Sequence, residues 1–156
     1  MDAALCLESL RLAPKGAGAF GVEAARRIRR GELLDVFGLA PRVAERSRYT
    51  LQIGENLHLG QTPGPGLDNF FNHACAPNAR VCFPGPALLA LADIEPGQEV
   101  RINYCATEEE LFEPFFCDCH APGCYGLVRG FKFLARREQE SLKALASPWL
   151  VEKYGL

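Results

Sequence analysis

Short stretches in which apolar and polar residues alternate recur along the chain, and they predict a protein built mainly of short β-strands. The candidate strands are residues 31–37, 49–53, 78–83, 87–92 and 98–104. Residues 87–92 form a continuous apolar run, which is typical of a buried strand. Gly-Pro clusters at residues 63–66 and 84–86 predict turns between these elements.

Helical patterns are confined to the C-terminal part of the sequence. Thr107, followed by three glutamates, resembles a capping box and predicts the start of a short helix. Residues 129–145 place most of their apolar side chains near one helical face and predict a longer helix, although Glu138 interrupts the apolar stripe. The sequence contains no internal repeat and no linker, so these segments indicate one mainly β domain with a helical tail.

Composition and charge narrow the class of protein. The chain has 156 residues, of which 48% are hydrophobic, and this is enough for one globular domain with a core. The net charge of −2 gives no indication of a nucleic-acid-binding surface and suits a basic, lysine-bearing partner. No apolar run is long enough to span a membrane, so we expect no membrane partner.

The N-terminal residues and the cysteines indicate an intracellular protein. Residues 1–6 lack the basic and apolar segments of a secretory signal, so we expect a cytoplasmic, nuclear or chromatin-associated location. The chain has seven cysteines, an odd number, and three of them crowd into residues 117–124. In a reducing compartment, such crowding favours a metal site over disulfides.

The crowded cysteines have the spacing C-x-C-x4-C at Cys117, Cys119 and Cys124, which suits a tetrahedral zinc ion. A closed structural site needs a fourth ligand. The residue types leave five candidates open, and these are Cys6, Cys75, Cys82, Cys105 and His120.

The segment Asn72-His73-Ala74-Cys75-Ala76-Pro77-Asn78 is the most informative part of the sequence. Its residues are poor strand formers and suit a backbone crossing in which side chains bond to the main chain. Taken alone, the segment is most simply interpreted as a polar turn that contains a buried cysteine.

This segment resembles the N-H-x-C-x-P-N signature of SET-domain protein lysine methyltransferases. Four further features resemble that family's motifs and follow in its order: Lys15–Phe20 as the G-x-G element, Ile28–Glu32 as the turn after it, Ile94–Tyr104 as the strand that ends in a tyrosine, and Cys117, Cys119 and Cys124 as the post-SET module. The resemblance extends from residue 15 to residue 126, which is most of the chain.

The resemblance implies a mainly β, SET-type (β-clip) fold of short strands with a pseudoknot crossing, a post-SET zinc loop and a C-terminal helix. It also implies a division of the chain into a SET domain over residues 1–112, a post-SET zinc-binding loop over residues 113–127 and a C-terminal helical tail over residues 128–156.

The same resemblance implies the site residues and the cofactors. The zinc ligands would be Cys75, Cys117, Cys119 and Cys124. The residues that bind S-adenosyl-L-methionine would be Lys15, Gly16, Gly18, Phe20, Asn72, His73, Tyr104 and Phe116. The catalytic residues would be Tyr104 and Tyr49, which would line a channel for the substrate lysine.

The implied function is methyl transfer to the side-chain amine of a lysine in a protein substrate, such as a histone, a histone-like protein or another intracellular protein. The sequence offers no obvious Asp or His as a general base, which fits a mechanism in which the channel itself favours the neutral amine. Two alternatives are a catalytically inactive SET-like interaction module that binds zinc and a zinc-dependent interaction domain that binds no cofactor. The oligomeric state, the target lysine and the number of methyl groups added are left open.

Overall fold

The computed structural model of the protein describes residues 8–34, 36–38, 40–60 and 66–156. Within these residues the chain is mainly β, as predicted. The strands are β1 Leu10–Gly16, β2 Ala19–Ala24, β3 Leu33–Leu34, β4 Arg42–Val43, β5 Leu51–Gly54, β6 Leu57–Leu59, β7 Asn72–His73, β8 Ala79–Cys82, β9 Ala87–Ala90, β10 Arg101–Ile102, β11 Phe115–Phe116 and β12 Leu127–Val128. The α-helices are α1 Arg136–Leu142 and α2 Pro148–Lys153, and 3-10 helices span Tyr104–Ala106 and Phe131–Phe133.

The strands form small sheets instead of one large sheet. β1 and β2 make an antiparallel hairpin, and so do β11 and β12. Two three-stranded antiparallel sheets have the orders β3-β9-β8 and β4-β6-β5. β7 and β10 pair in parallel, with Asn72 opposite Arg101 and His73 opposite Ile102. This parallel pairing lies at the predicted crossing, and it joins two stretches that are far apart in sequence.

Side-chain hydrogen bonds fix the crossing, as the composition of the Asn-His segment indicates. The Asn78 amide donates to the carbonyl oxygen of Glu99 at 2.8 Å and accepts from the N–H of Arg101 at 2.8 Å. The Ala74 N–H donates to the Ile102 carbonyl at 2.9 Å, which extends the pairing of β7 with β10 by one residue. An asparagine is suited to this position because its amide satisfies a donor and an acceptor of the neighbouring backbone at once.

Local side-chain bonds also explain why two strands are shorter than predicted. The strand predicted over 49–53 begins only at Leu51, because the Thr50 hydroxyl accepts the N–H of Ser47 and donates to the Ser47 carbonyl oxygen in a turn before it. The strand predicted over 98–104 ends at Ile102, because the Asn103 side chain accepts the N–H of Cys105 and starts the 3-10 helix. Such local bonds compete with a strand ladder.

The remaining strand and turn predictions have mixed outcomes. The strands predicted over 78–83 and 87–92 are β8 and β9, and the turn predicted at 84–86 joins them. Of the strand predicted over 31–37, only β3 forms, and residue 35 lies outside the described residues. Most of the turn predicted at 63–66 lies outside them as well, and so does Cys6.

Two clusters of buried apolar residues form the core. The first lies among the strands and includes Val22, Ile28, Leu88 and Val100. The second lies under the C-terminal helices and includes Cys105, Val128, Phe131 and Leu150. Tyr104 packs against both clusters, so its ring lies where the β part of the chain meets the C-terminal part.

The single helix predicted over residues 129–145 is wrong. The backbone of Gly130 has a φ of 120°, and a Cβ there would lie 2.5 Å from the Glu109 carbonyl oxygen, so close contact with residue 109 breaks the helix. α1 begins only after Ala135, whose N–H donates to the Glu138 carboxylate at 2.7 Å. Glu138 interrupts the apolar stripe because it caps the start of α1.

The helix predicted from Thr107 is also wrong, because residues 107–110 continue from the 3-10 helix as a turn. The Glu108 carboxylate accepts the N–H of Gln52 in β5 and does not cap a helix. α2 was not predicted from the sequence, although Ser147 followed by Pro148 is a common helix start. Within the described residues, no helix combines the length and the apolar character needed to cross a membrane.

Candidate functional site

An open cleft of about 860 Å³ lies between the β1–β2 hairpin, the crossing and the segment that leads into the cysteine loop. Eight of the residues predicted to bind the cofactor or act in catalysis line it, namely Lys15, Gly18, Phe20, Tyr49, Asn72, His73, Tyr104 and Phe116. Gly16 does not line the cleft. The structure therefore brings residues from five separate parts of the sequence to one cavity, whose volume is in the range of small-molecule sites.

Tyr104 occupies the base of the cleft, where its orientation is fixed. Its hydroxyl donates to the carbonyl oxygen of Phe71 at 2.7 Å, and its ring packs edge-on against His73 and Phe115. Burial, and then the negative charges of Glu108 and Glu99, raise the pKa of Tyr104 to about 12. The phenol is therefore neutral at physiological pH. Because a carbonyl can only accept, the phenol O–H is committed to Phe71 and the oxygen lone pairs are left to accept.

His73 connects Tyr104 to the cysteine cluster. Its Nδ1 accepts the backbone N–H of Tyr104 at 3.1 Å, so the ring proton lies on Nε2, which is 3.2 Å from the sulfur of Cys75. Burial, and then the positive charge of Arg101, lower the pKa of His73 to about 4. The imidazole is therefore neutral and holds a single tautomer between the backbone of the tyrosine and the sulfur of Cys75.

Asn72 fastens the crossing to the β1–β2 hairpin. Its amide donates to the Phe20 carbonyl at 3.0 Å and to the Glu99 carboxylate at 2.8 Å. A Cβ on Gly21 would lie 2.3 Å from that carboxylate and 3.0 Å from the Asn72 amide nitrogen. Only glycine allows the hairpin to approach so closely. Gly21 was not predicted as a site residue; its signal in the sequence is a third glycine, six residues after Lys15.

The predicted G-x-G element is the turn between β1 and β2. Gly16, Ala17 and Gly18 have φ values of 86°, 46° and 77°. Added Cβ atoms at either glycine would meet no neighbour within 4 Å, so the left-handed backbone and not crowding favours glycine. The turn also brings Lys15 to the cleft, where its ammonium pairs with Glu23 at 2.7 Å.

The four cysteines predicted as zinc ligands converge. Their sulfur atoms all lie within 4.8 Å of one another, and the Cys75 sulfur is 3.8 Å from those of Cys117 and Cys124. A tetrahedral zinc with bonds of about 2.3 Å to each sulfur sets sulfur atoms about 3.8 Å apart. The cluster therefore has the size and the ligand type of a structural zinc centre.

Backbone and imidazole N–H groups surround this cluster, as is common around thiolates. The Tyr125 N–H points at the Cys75 sulfur at 3.4 Å, and the Cys119 N–H points at the Cys117 sulfur at 3.4 Å. A backbone N–H from Ala121 lowers the pKa of Cys119 to about 6. Burial raises the pKa of Cys75, so bound metal is what would keep that sulfur ionised.

The other candidates for the fourth ligand are not in the cluster as far as the structure describes them. His120 is exposed and has a φ of 53°, and it is not part of the cysteine cluster. Cys105 is fully buried in the second core cluster, and Cys82 lies in β8.

Two of the predicted residues lie at the rim of the cleft. Phe116 is 82% exposed, and Tyr49 is 43% exposed with the Arg48 guanidinium over its ring. Large apolar side chains exposed beside a cavity indicate a contact surface for a ligand. Phe112, which is 52% exposed, belongs to the same rim and was not predicted.

Two glutamates that line the cleft were also missed as site residues. The Glu99 carboxylate accepts from Asn72 and, through its other oxygen, from the Arg101 guanidinium at 2.6 Å. Glu108 follows Tyr104 by four residues and bonds to β5. In the sequence, Glu99 belongs to a strand motif and Glu108 to a predicted helix start, so neither pattern indicates that these side chains line a cavity.

Comparisons with known proteins agree with this geometry. The family model described as SET domain matches residues 19–105. The H3 lysine-4 specific histone-lysine N-methyltransferase of Saccharomyces cerevisiae is 32% identical over 89 residues, which are 53% of this chain and 8% of that protein. The protein-lysine N-trimethyltransferase SMYD5 of Mus musculus is 35% identical over 72 residues, which are 37% of this chain and 17% of that protein.

A solved structure shares the fold. The structure of Arabidopsis thaliana SUVH6 in complex with SAM superposes with a TM-score of 0.63 at 16% identity, and the match covers 76% of this chain and 32% of that one. The chain thus spans a small part of each protein that it matches.

Proposed function

The chain belongs to the SET domain family, and from this premise we propose that it is an S-adenosylmethionine-dependent protein-lysine N-methyltransferase. One observation carries the proposal: a single cleft is lined by a buried neutral tyrosine, by the crossing and by the hairpin, and it borders a cluster of four cysteines. The relatives named as lysine methyltransferases, and the structural neighbour that was crystallised with SAM, support it.

The lining of the cleft suits the parts of S-adenosylmethionine. The Asn72 amide and the Glu99 carboxylate are acceptors for its amino group, Lys15 is a cation for its carboxylate, and the exposed rings of Phe20 and Phe116 are faces for its adenine. When bound, this cofactor supplies a methyl group on a positively charged sulfur. Gly16, which does not line the cleft, would contribute through the shape of the turn alone.

Tyr104 would orient the reacting groups without exchanging a proton. Its pKa of about 12 keeps the phenol protonated, and its O–H is committed to the Phe71 carbonyl. The phenol oxygen can therefore accept hydrogen bonds from an amine or from polarised methyl hydrogens, and it holds them in a fixed direction. Alignment of this kind lowers a barrier because it removes orientational freedom before the reaction begins. Tyr49, at the rim, would guide the aliphatic part of the lysine.

The substrate amine must be neutral when it attacks. A free lysine has a pKa of about 10.4, so deprotonation at pH 7 costs about 4.6 kcal/mol. The aromatic rings of Tyr104, Phe115 and His73 would lower that pKa, because they would exclude water from the ammonium.

Zinc would have a structural role. With Cys75 in the crossing and the other three ligands in the loop over residues 117–124, the metal would tie the loop to the wall of the cleft. His73, bonded to both Cys75 and Tyr104, would transmit the position of the metal centre to the catalytic tyrosine.

The substrate would be a lysine in an intracellular protein. Histones are the natural first candidates, because one relative is named for histone H3 lysine 4, whereas SMYD5 is named more broadly for protein lysine. Because these relatives are named for different substrates, the substrate protein has to be identified by experiment.

The direct test combines purified zinc-loaded protein, S-adenosylmethionine with an isotopically labelled methyl group, and an extract of host proteins. We expect label on lysine side chains, located by mass spectrometry, and none with the Tyr104→Phe variant. Cofactor binding without any labelled lysine would instead support the inactive module. Failure to bind either S-adenosylmethionine or its demethylated product would support a zinc-dependent interaction domain.

A further inference from the structure

Glu108 is a carboxyl group within the cleft that the proposed mechanism does not use. It follows the 3-10 helix of Tyr104 by two residues, and its N–H bonds to the Tyr104 carbonyl at 2.9 Å. Its Oε1 accepts the Gln52 N–H at 2.8 Å and the Thr107 hydroxyl at 3.3 Å. These bonds leave Oε2 as the oxygen with no donor among the described residues, in a side chain that lines the cavity.

The surroundings of Glu108 raise the pKa of its carboxyl group to near neutrality. Burial is the main cause that raises its pKa to about 7, and the bond from Gln52 and the charge of Arg46 oppose that rise. Its other charged or titratable neighbours are Tyr104 and Cys105, whose pKa values its own charge raises. A carboxylate of this strength is matched to proton transfer near neutral pH.

We propose that Glu108 accepts the proton that a substrate lysine must lose before it attacks the methyl group. The inference rests on the proposed function and adds a general base to it. In the step, the lysine N–H bond breaks, the proton moves to Oε2 of Glu108, and the bonding pair remains on nitrogen as the nucleophilic lone pair. The charges balance, because an ammonium and a carboxylate become an amine and a carboxylic acid. The proton leaves to solvent through the open cleft after turnover.

Four other titratable groups at the cleft, those of Glu99, Tyr104, His73 and Glu113, are less suited to this role. Both oxygens of Glu99 are engaged, by Asn72 and by the Arg101 guanidinium. The Tyr104 hydroxyl donates to Phe71, and both nitrogens of His73 have partners. The carboxylate of Glu113 lies 3.7 Å from the Arg48 guanidinium, and the side chain is more than half exposed.

The test is the dependence of kcat/KM on pH for wild type and Glu108→Gln, measured by labelled methyl transfer to the lysine that the extract experiment identifies. Glutamine keeps an acceptor for Gln52 and Thr107 but takes no proton. For wild type we expect a rise that levels off above pH about 7. For the variant we expect a loss of about 100-fold or more at pH 7, which shrinks about tenfold per pH unit toward pH 10 as free lysine ionises by itself.

The matched control is Glu110→Gln, which removes a neighbouring carboxylate that bonds to Lys132 outside the cleft. We expect its profile to follow wild type within about twofold. A loss in Glu108→Gln that is equal at every pH indicates a structural role and overturns the proposal, and so does an unchanged profile.

A second measurement needs no turnover. A ¹³C NMR titration of the carboxyl groups, with the Glu108 signal assigned by its absence in Glu108→Gln, should give a midpoint near the pKa of about 7. A midpoint in the ordinary range of glutamate, about 4.3, overturns the inference. If the wild-type protein labels no lysine, the proposed function is wrong. If the wild type is active and Glu108→Gln has the same pH profile, only the role of Glu108 is wrong.

Discussion

The crossing and the cysteine loop form adjacent walls of one cleft, but different forces hold them. The crossing, residues 72–78 with 99–104, is fixed by hydrogen bonds from Asn72, Asn78 and His73. The loop over residues 117–124 contains no strand, its backbone bonds are sparse, and Asp118 and His120 are exposed. One wall is therefore specified by the folded chain, whereas the other would be completed by the zinc proposed at Cys75, Cys117, Cys119 and Cys124. If so, fold and cleft are separable properties of this protein.

Removal of zinc is the most severe test of this difference. Chelation, or the Cys117→Ser variant, should abolish methyl transfer and cofactor binding because the loop wall is lost. The crossing should remain, since the hydrogen bonds of Asn72, Asn78 and His73 that fix it do not involve Cys117. Hydrogen exchange followed by mass spectrometry should show faster exchange over residues 115–126 and unchanged protection over residues 72–74. Metal analysis provides the control, with one zinc per wild-type chain and less in the variant. Full methyl transfer activity of a zinc-free chain would contradict the dependence of the loop wall on zinc.

The Tyr104→Phe variant tests the wall formed by the crossing, because it removes one hydroxyl group and keeps the ring. We expect kcat to fall by about 100-fold or more, since the oxygen that orients the amine is lost. The fold, the zinc content and the cofactor affinity should be retained, because the ring still packs on His73 and Phe115. Steady-state kinetics measure kcat, and titration with the cofactor measures the cofactor affinity. Tyr154→Phe is the control: its hydroxyl bonds to Glu109 at 2.7 Å outside the cleft, so turnover should not change.

Asn78→Ala should weaken the crossing without loosening the loop. The variant loses two bonds and leaves the Arg101 N–H without its acceptor, so the free energy of unfolding should fall by about 2–3 kcal/mol. Denaturant unfolding of the zinc-loaded protein measures this loss, while zinc content should remain one per chain. Asn56→Gly is a matched control, since Asn56 has a φ of 54° that glycine adopts without strain. A similar loss in both variants would refute a special role for Asn78.

The last expected effect is a dependence of stability on pH. The pKa of Glu108 rises from 4.5 to about 7 on folding, so the folded state binds the proton more tightly than the unfolded state does. Its contribution to stability is present below pH about 4.5 and is lost as the pH rises through about 7. The difference in unfolding free energy between wild type and Glu108→Gln should therefore shift in favour of the variant across this window. A constant difference would show that Glu108 titrates normally.

The sequence indicated the mainly β class and the residues that converge on the cleft far better than it indicated the helices. Motif spacing is local, and it pointed to Cys117, Cys119 and Cys124 directly, whereas the choice of Cys75 over His120 came only from resemblance to a family. The helix predicted over 129–145 failed because a contact between Gly130 and residue 109 lies outside any local pattern.

Glu108 shows the same limit at the site. Three successive glutamates after Thr107 are typical of a helix start, yet one of them turns inward because Gln52, more than fifty residues earlier, presents a donor to it. Long-range partners of this kind are invisible to periodicity. The division of the chain at residues 112 and 127 stays a prediction, which limited proteolysis with and without zinc can examine.

The separation in sequence between Cys75 and Cys117, 42 residues, has a consequence for biosynthesis. Joining two points that far apart costs about 3 kcal/mol of chain entropy. Once Tyr104 packs on His73, the loop that must still close has only about 13 residues, and the entropy cost of closing it is lower by about 1 kcal/mol. Because the last thiolate lies at position 124, a ribosome must deliver nearly the whole β part before the metal can be captured. Capture of the metal therefore requires that synthesis has reached residue 124 and that the crossing has formed.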